Sequence, residues 1–220
     1  MDEGYVKYHA EHRFAQAEEP PHWAELQEAR TRLHDLGLIG VDPGGVGYGN
    51  VSLRLEAESG NSVSNEKFYI SGTATGGMRV LSASGYCRVL SFDIEKNYVE
   101  SAGPVQASSE SMTHGAIYRA KPAVNSVIHI HSKAIFEGML SGGYPSTPPE
   151  SAYGTPEMAH AIAECVKFAG KNSGKNAGVI VMAGHDAGVI AYGASVEEAL
   201  SLTLELYRAF VGDDGSGRAH

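Results

Sequence analysis

The sequence predicts an α/β protein in which helices pack over one largely antiparallel sheet. Three observations predict it. Apolar residues recur at steps of three and four over 22–36, 110–120, 156–169 and 196–210. Short strand-length runs lie between these stretches, and several are joined by hairpin-like turns, which favours antiparallel pairing. The chain of 220 residues, with 42% hydrophobic and 20% charged, has a globular composition and can bury a core without staples.

Residues 1–21 read as an irregular arm ending at Pro20-Pro21. Trp23, Leu26, Ala29, Leu33 and Leu36 then mark a helix that Gly37 stops. A glycine-dense stretch runs from Asp42 to Asn50, and Val51–Leu55 alternates as a strand. Lys67–Ser71 is a second strand and Gly72–Gly77 a loop. Cys87–Phe92 and Tyr98–Glu100 are further strands. Ser109–Ala120 has helical spacing with Ser109 as the expected N-cap, and Pro122 lies just beyond its end. Val127–His131 reads as a buried strand, and Lys133–Leu140 as a helix closed by Gly142-Gly143. Thr155 caps a helix that has Pro156 in its first turn and runs to about Ala169. Val179–Met182 and Val189–Tyr192 form a hairpin of buried strands. Ser195 and Glu198 open the last helix as a capping box. The expected division is an arm at 1–21, one domain at 22–212 and a polar tail at 213–220.

Composition excludes some partners. Seventeen Lys+Arg against 26 Asp+Glu leave a net charge of -9, so no basic face is expected for nucleic acid or an anionic membrane. Two cysteines are too few for a disulfide framework, which points to a reducing compartment. No apolar run is long enough to span a membrane, and the first residues lack a signal-peptide core. The expectation is a soluble cytoplasmic protein.

The strongest local feature is His129-Ile130-His131. Alternate strand residues share a face, so both imidazoles project together and suit one divalent metal. Two polar residues on a solvent-facing strand are the other reading. His185, in the glycine-flanked turn between two apolar runs, would supply a third imidazole; by itself it is an ordinary turn histidine. Glu110 falls in the first turn of a helix after Ser108-Ser109, where unpaired N–H groups can meet a phosphate. By sequence pattern alone, simple capping with Glu110 as a favourable first-turn acid explains it better. His114 reads as a packed structural residue. The small-residue loops Gly47–Asn50 and Ser71–Gly76 could present N–H groups to an anion, and neither matches GxxxxGK[ST] or GxGxxG.

Taken in order, GNVSLR (49–54), FYISGTATG (68–76), ASSESMTHGAIYRAKP (107–122), VNSVIHIHS (124–132), YGTPEMAHAI (153–162) and VIVMAGHDAGVIAYGASVEEAL (179–200) resemble the class II aldolase/adducin family. The resemblance implies a three-layer α/β/α sandwich with a central, largely antiparallel sheet. It also implies a homotetramer with active sites at subunit interfaces. It assigns zinc to His129, His131 and His185, with manganese, cobalt, nickel or iron as substitutes. It makes Glu110 the acid/base and places a phosphate at Asn50, Thr73, Ala74, Ser108 and Ser109. The implied reaction is a fuculose-phosphate aldolase-like cleavage of a small ketose phosphate through a metal-stabilised enediolate. Epimerases, dehydratases and decarboxylases of the family would use the same histidines.

The sequence departs from the aldolase pattern in places. Asp186 and Ala74 stand where glycine is usual, and the 131–154 segment is short. Tyr144 and Tyr207 are the candidates for the proton-donating tyrosine that the aldolases carry. Two other classes compete. A cupin-like metal protein would pair the HxH with Glu137, but its fold would be nearly all β. A non-catalytic adducin-like module would have lost its site, whereas here the three histidines and Glu110 are present.

Overall fold

The structure is a computed structural model that describes residues 7–55, 66–173 and 176–213. The start of the expected arm and the tail beyond 213 lie outside the described residues. The elements follow as β1 (His9–Phe14), α1 (Trp23–Asp35), β2 (Gly40–Val41), β3 (Gly47–Tyr48), β4 (Asn50–Arg54), β5 (Phe68–Ser71), β6 (Tyr86–Asp93), β7 (Tyr98–Gly103), α2 (Ser111–Ala120), β8 (Ser126–His131), α3 (Lys133–Ser141), α4 (Pro156–Ser173), β9 (Gly178–Val181), β10 (Gly188–Gly193) and α5 (Val196–Phe210).

Eight strands make one sheet in the order β1-β7-β6-β5-β4-β8-β10-β9. Every pairing in it is antiparallel except β1 with β7. Strand β1 departs from the irregular arm that the sequence suggests. His9–Phe14 is exposed at nearly every position, so it shows no apolar alternation, and backbone pairing alone places it at the sheet edge.

Period-two alternation sorts the side chains of β4 and β8 into two cores. Val51, Leu53, Ile128 and Ile130 pack with Leu26, Leu33, Ile135 and Leu206, so α1, α3 and α5 cover one face. Val127 packs with Met112, Ile117, Met158 and Ile162, so α2 and α4 cover the other. The fold is therefore an α/β/α sandwich. Fully buried aliphatic side chains such as Leu33 and Ile128 each contribute about 1.5–3 kcal/mol.

The helix ends follow the sequence signals with one exception. The Ser195 hydroxyl accepts from the N–H of Glu198, and the Glu198 carboxylate accepts from the N–H of Ala194, so α5 is capped at both groups. Ser109 is not the cap of α2. The helix begins at Ser111, and Glu110 takes the cap position without a side-chain bond to the backbone. The Ser108 carbonyl instead accepts from both the N–H and the hydroxyl of Ser111. That arrangement releases the Glu110 carboxylate from capping.

Candidate functional site

The site lies where β4 begins and β8 ends, on the face covered by α2 and α4. Asn50 pairs in register with His129, and His131 with Gly188. Asn50, His129 and Val127 alternate away from the aliphatic layer beneath α1. Polar groups therefore stand on the α2 side at this end of the sheet. His185 arrives from the turn between β9 and β10. Its N–H donates to the Met182 carbonyl, and its own carbonyl accepts from Gly188. A Cβ on Gly188 would stand 2.8 Å from the His185 ring, and one on Gly184 would collide with the Ser151 carbonyl. Both glycines of the turn are needed for that close packing. Asp186 is exposed and does not line the pocket, so the departure from glycine there leaves the ring's approach intact.

The three imidazoles converge. His131 Nε2 stands 3.0 Å from His129 Nε2 and 3.1 Å from His185 Nε2. Burial holds His129 and His185 well below the ordinary imidazole range, reinforced by His131 beside each, and burial lowers His131 to about 4. All three are neutral at pH 7. A neutral Nε2 carries either a proton or a lone pair, so His131 cannot make good N–H···N bonds to both neighbours at once. A cation facing three lone pairs resolves the conflict. Tetrahedral zinc with bonds of about 2.0 Å sets nitrogens about 3.3 Å apart, near the observed spacing. The residues thus fit a divalent ion, and among the described residues this is the one cluster that does.

Glu110 is buried, with Oε1 3.8 Å from His185 Nε2. The remaining candidates lie around the same pocket: Asn50, Thr73, Ala74, Ser108 and Ser109 all line it beside Glu110 and the histidines. The Ser108 hydroxyl accepts from Asn50 Nδ2 at 3.1 Å and from the Glu110 N–H at 3.3 Å, which leaves its own proton to donate. The Thr73 N–H is committed to the Gln106 carbonyl, so that residue offers its side chain rather than its backbone. Ala74 holds φ 58, a left-handed conformation that glycine adopts more easily.

Several contributors lie outside the sequence reading. Arg30 of α1 is buried and donates to the carbonyls of Thr75, Met78 and Arg79, which pins the loop after Ala74. Its position within an apolar helix stripe gave no signal. Tyr48 and Tyr153 line the pocket, with Tyr153 stacked on His185 at 4.4 Å. Tyr144 packs edge-on against Phe210, and Tyr207 packs against the aliphatic layer beneath α5; neither lines the pocket. Glu137 forms an ion pair with Lys133 on α3, apart from the histidines, which removes the cupin-like pairing. A larger cavity of about 480 Å³ opens at the opposite end of β4 and β8, between Arg54, Arg119 and Ser195, and gathers no comparable set of ligands. Among the described residues no helix is long and apolar enough to cross a membrane.

The profile of the family "Class II Aldolase and Adducin N-terminal domain" matches residues 25–211. No curated protein matches the chain in sequence. Solved structures share the fold at low identity. A sugar-phosphate aldolase from Thermotoga maritima is 19% identical with a TM-score of 0.60, over 84% of this chain and 90% of that one. L-fuculose-1-phosphate aldolase from Thermus thermophilus is 20% identical with a TM-score of 0.55, over 83% and 87%. YgbL from Escherichia coli, whose description leaves aldolase, epimerase and decarboxylase open, is 18% identical with a TM-score of 0.57, over 83% of each chain. With the profile spanning most of its length, the chain belongs to the class II aldolase and adducin family and is an aldolase-like enzyme within it.

Proposed function

We propose that the protein is a metal-dependent aldehyde-lyase that cleaves a small ketose phosphate. The convergence of His129, His131 and His185 beside the Glu110 carboxylate carries this reading. Those histidines would hold the ion, zinc by the donor set, with manganese, cobalt, nickel or iron able to substitute. Bound there, the ion supplies Lewis acidity to carbonyl and hydroxyl oxygens of the substrate.

The chain's own groups do the rest. Asn50, the Ser108 and Ser109 hydroxyls and the Thr73-Ala74 loop bind the phosphate beside the start of α2. Cleavage moves the proton of the hydroxyl next to the breaking C–C bond onto the Glu110 carboxylate. The oxygen's electrons form the aldehyde, and the bond pair passes to the ketone fragment. Glu110 holds the proton that this fragment's carbon then receives, leaving dihydroxyacetone phosphate. Tyr153, Tyr48 and the 72–76 loop line the pocket around these groups.

The same reading makes the protein a cytoplasmic homotetramer with sites at its interfaces, built on the arm, domain and tail at 1–21, 22–212 and 213–220. A screen of ketose 1-phosphates for aldehyde release, with and without chelator, tests the function. Cleavage of at least one, abolished by chelator and restored by metal, is expected. A metal-loaded protein that cleaves none, or cleavage indifferent to chelator, would overturn it. Epimerase, dehydratase and decarboxylase products in the same screen would select the alternative chemistries.

A further inference from the structure

The two edges of the sheet are finished differently. At β9 the segment after α3 covers the edge: the Thr147 N–H donates to the Val181 carbonyl, and the Val181 N–H to the Pro145 carbonyl. At β1 no such cover exists among the described residues. The strand keeps one register with β7 over all six residues, without a bulge. The chain then turns back over the sheet, where Glu18 accepts from the Tyr69 hydroxyl of β5 and pairs with Arg88 of β6.

A strand residue turns its N–H and its C=O to the same side. The His9 N–H donates to the Asn97 carbonyl and the Ala15 N–H to the Gly103 carbonyl. His9, Glu11 and Arg13 therefore bond to β7, while Ala10, His12 and Phe14 turn three donors and three acceptors outward. Lysine, proline and bulges commonly guard such an edge, and β1 has none of them.

A second copy of β1, laid antiparallel about a two-fold axis at His12, matches this edge. His12 exchanges both hydrogen bonds with His12 of the second copy, and Ala10 does so with Phe14. Between them Glu11 stands opposite Arg13 in a non-hydrogen-bonded pair, where side chains come closest. The symmetry makes this pair of opposite charges twice. Glu11 accepts from the Tyr98 hydroxyl and Arg13 pairs with Glu100, which holds both heads over one face of the sheet. On the other face Phe14, 82% exposed, comes to lie on the small Ala10. An axis at Glu11 or Arg13 would oppose like charges, and one at Ala10 or Phe14 would leave outward groups of β1 unpaired.

We propose that β1 is an interaction surface for a second copy of this chain, and that an antiparallel β1–β1 pair centred on His12 joins two eight-stranded sheets edge to edge. The proposal does not depend on the chemistry at the histidine pocket.

Oxidative cross-linking of cysteine variants tests the pair and its register. His12→Cys sets the two new sulfurs about the axis, with Cα atoms about 5.5 Å apart, a span that a disulfide closes. Ala10→Cys sets its Cα atoms about 14 Å apart, out of reach. On a non-reducing gel His12→Cys should give a linked dimer in about tenfold or higher yield than Ala10→Cys. The wild type, whose cysteines are Cys87 and Cys165, serves as the background. Phe14→Pro removes one outward N–H and the exposed ring and leaves the Glu11 and Arg13 bonds to β7 in place. It should halve the mass of the assembly in sedimentation velocity. Absence of linkage at His12→Cys, or equal linkage at both positions, would overturn the pair. An unchanged mass in Phe14→Pro would do the same, since assembly would then rest on other surfaces.

Discussion

Two buried histidine neighbourhoods stand on the same face of the sheet and differ in how their nitrogens are satisfied. His114 of α2 places Nδ1 2.7 Å from the Ser52 hydroxyl, which lies 2.6 Å from the Tyr118 hydroxyl. His129, His131 and His185 place their Nε2 atoms on one another. Burial lowers His114 to about 3, a depression of the same sign and cause as in the triad. Burial and a depressed pKa are therefore common to a structural histidine and to a ligand set. Convergence of three Nε2 atoms that cannot all be paired by hydrogen bonds separates the two.

The largest expected effect breaks the triad. His129→Ala or His131→Ala should take bound divalent metal from about one ion per chain to near zero in elemental analysis, and activity to background. His114→Ala should leave metal content unchanged. Equal metal loss in both would erase the distinction between the neighbourhoods. Glu110→Gln comes next: metal should remain, while kcat falls about 10²–10⁴-fold, the usual range for a lost acid/base. Full activity in steady-state assays would remove Glu110 from the chemistry.

The triad was legible in the sequence because a strand fixes the direction of alternate residues, and His129-x-His131 needs nothing more to share a face. The approach of His185 follows from the turn glycines only once β9 and β10 are known to pair beside β8. Long-range placement of this kind is not written in periodicity. Strand β1 shows the same limit, since its residues are polar on both faces and only pairing with β7 reveals it. Arg30 and Tyr153 escaped for another reason. A cation bonded to three loop carbonyls and a ring stacked on His185 acquire their roles from partners 45 or more and 32 residues away. Glu110 was legible as a residue and misplaced in detail, because the helix starts after it rather than at Ser109.

The structural neighbourhood should show itself in stability. His114→Ala would leave the Ser52 hydroxyl without its imidazole partner and open a void, at a cost of about 2–4 kcal/mol in urea unfolding. Its pH dependence carries a definite sign. A histidine held neutral when folded and titrating near 6.5 when unfolded binds more protons in the unfolded state at acid pH. The stability it preserves is complete above pH 6.5 and is lost as pH falls from there toward the folded value of about 3. The slope is about 1.4 kcal/mol per pH unit per such histidine. Urea titrations of chelator-treated protein between pH 7 and 4 should therefore steepen below 6.5, and His114→Gln should remove about one histidine's share of the slope. An unchanged slope would mean that His114 titrates normally in the folded protein.

The smallest effect concerns backbone strain, which sits beside the triad rather than beside His114. Ala74, one of the proposed phosphate positions, holds φ 58, and Ala187, in the turn after His185, holds φ 59. His114 stands in regular helix opposite regular strand. The left-handed conformation costs an L-residue about 1–2 kcal/mol, and a glycine replacement gives back about 0.5–1 kcal/mol through unfolded-chain entropy. Ala74→Gly should thus gain about 0.5 kcal/mol, a rise of about 1–2 °C in Tm for a chain of this size. Gly47 and Gly76 make room for this loop, since a Cβ on Gly76 would collide with the Gly40 carbonyl and one on Gly47 would stand 3.5 Å from Ala74 Cα. The fold therefore imposes the loop's shape, and the alanine only tolerates it. A fall in Tm for Ala74→Gly would show instead that the alanine methyl helps hold the loop, and that the strain beside the triad is offset by packing at Ala74 itself.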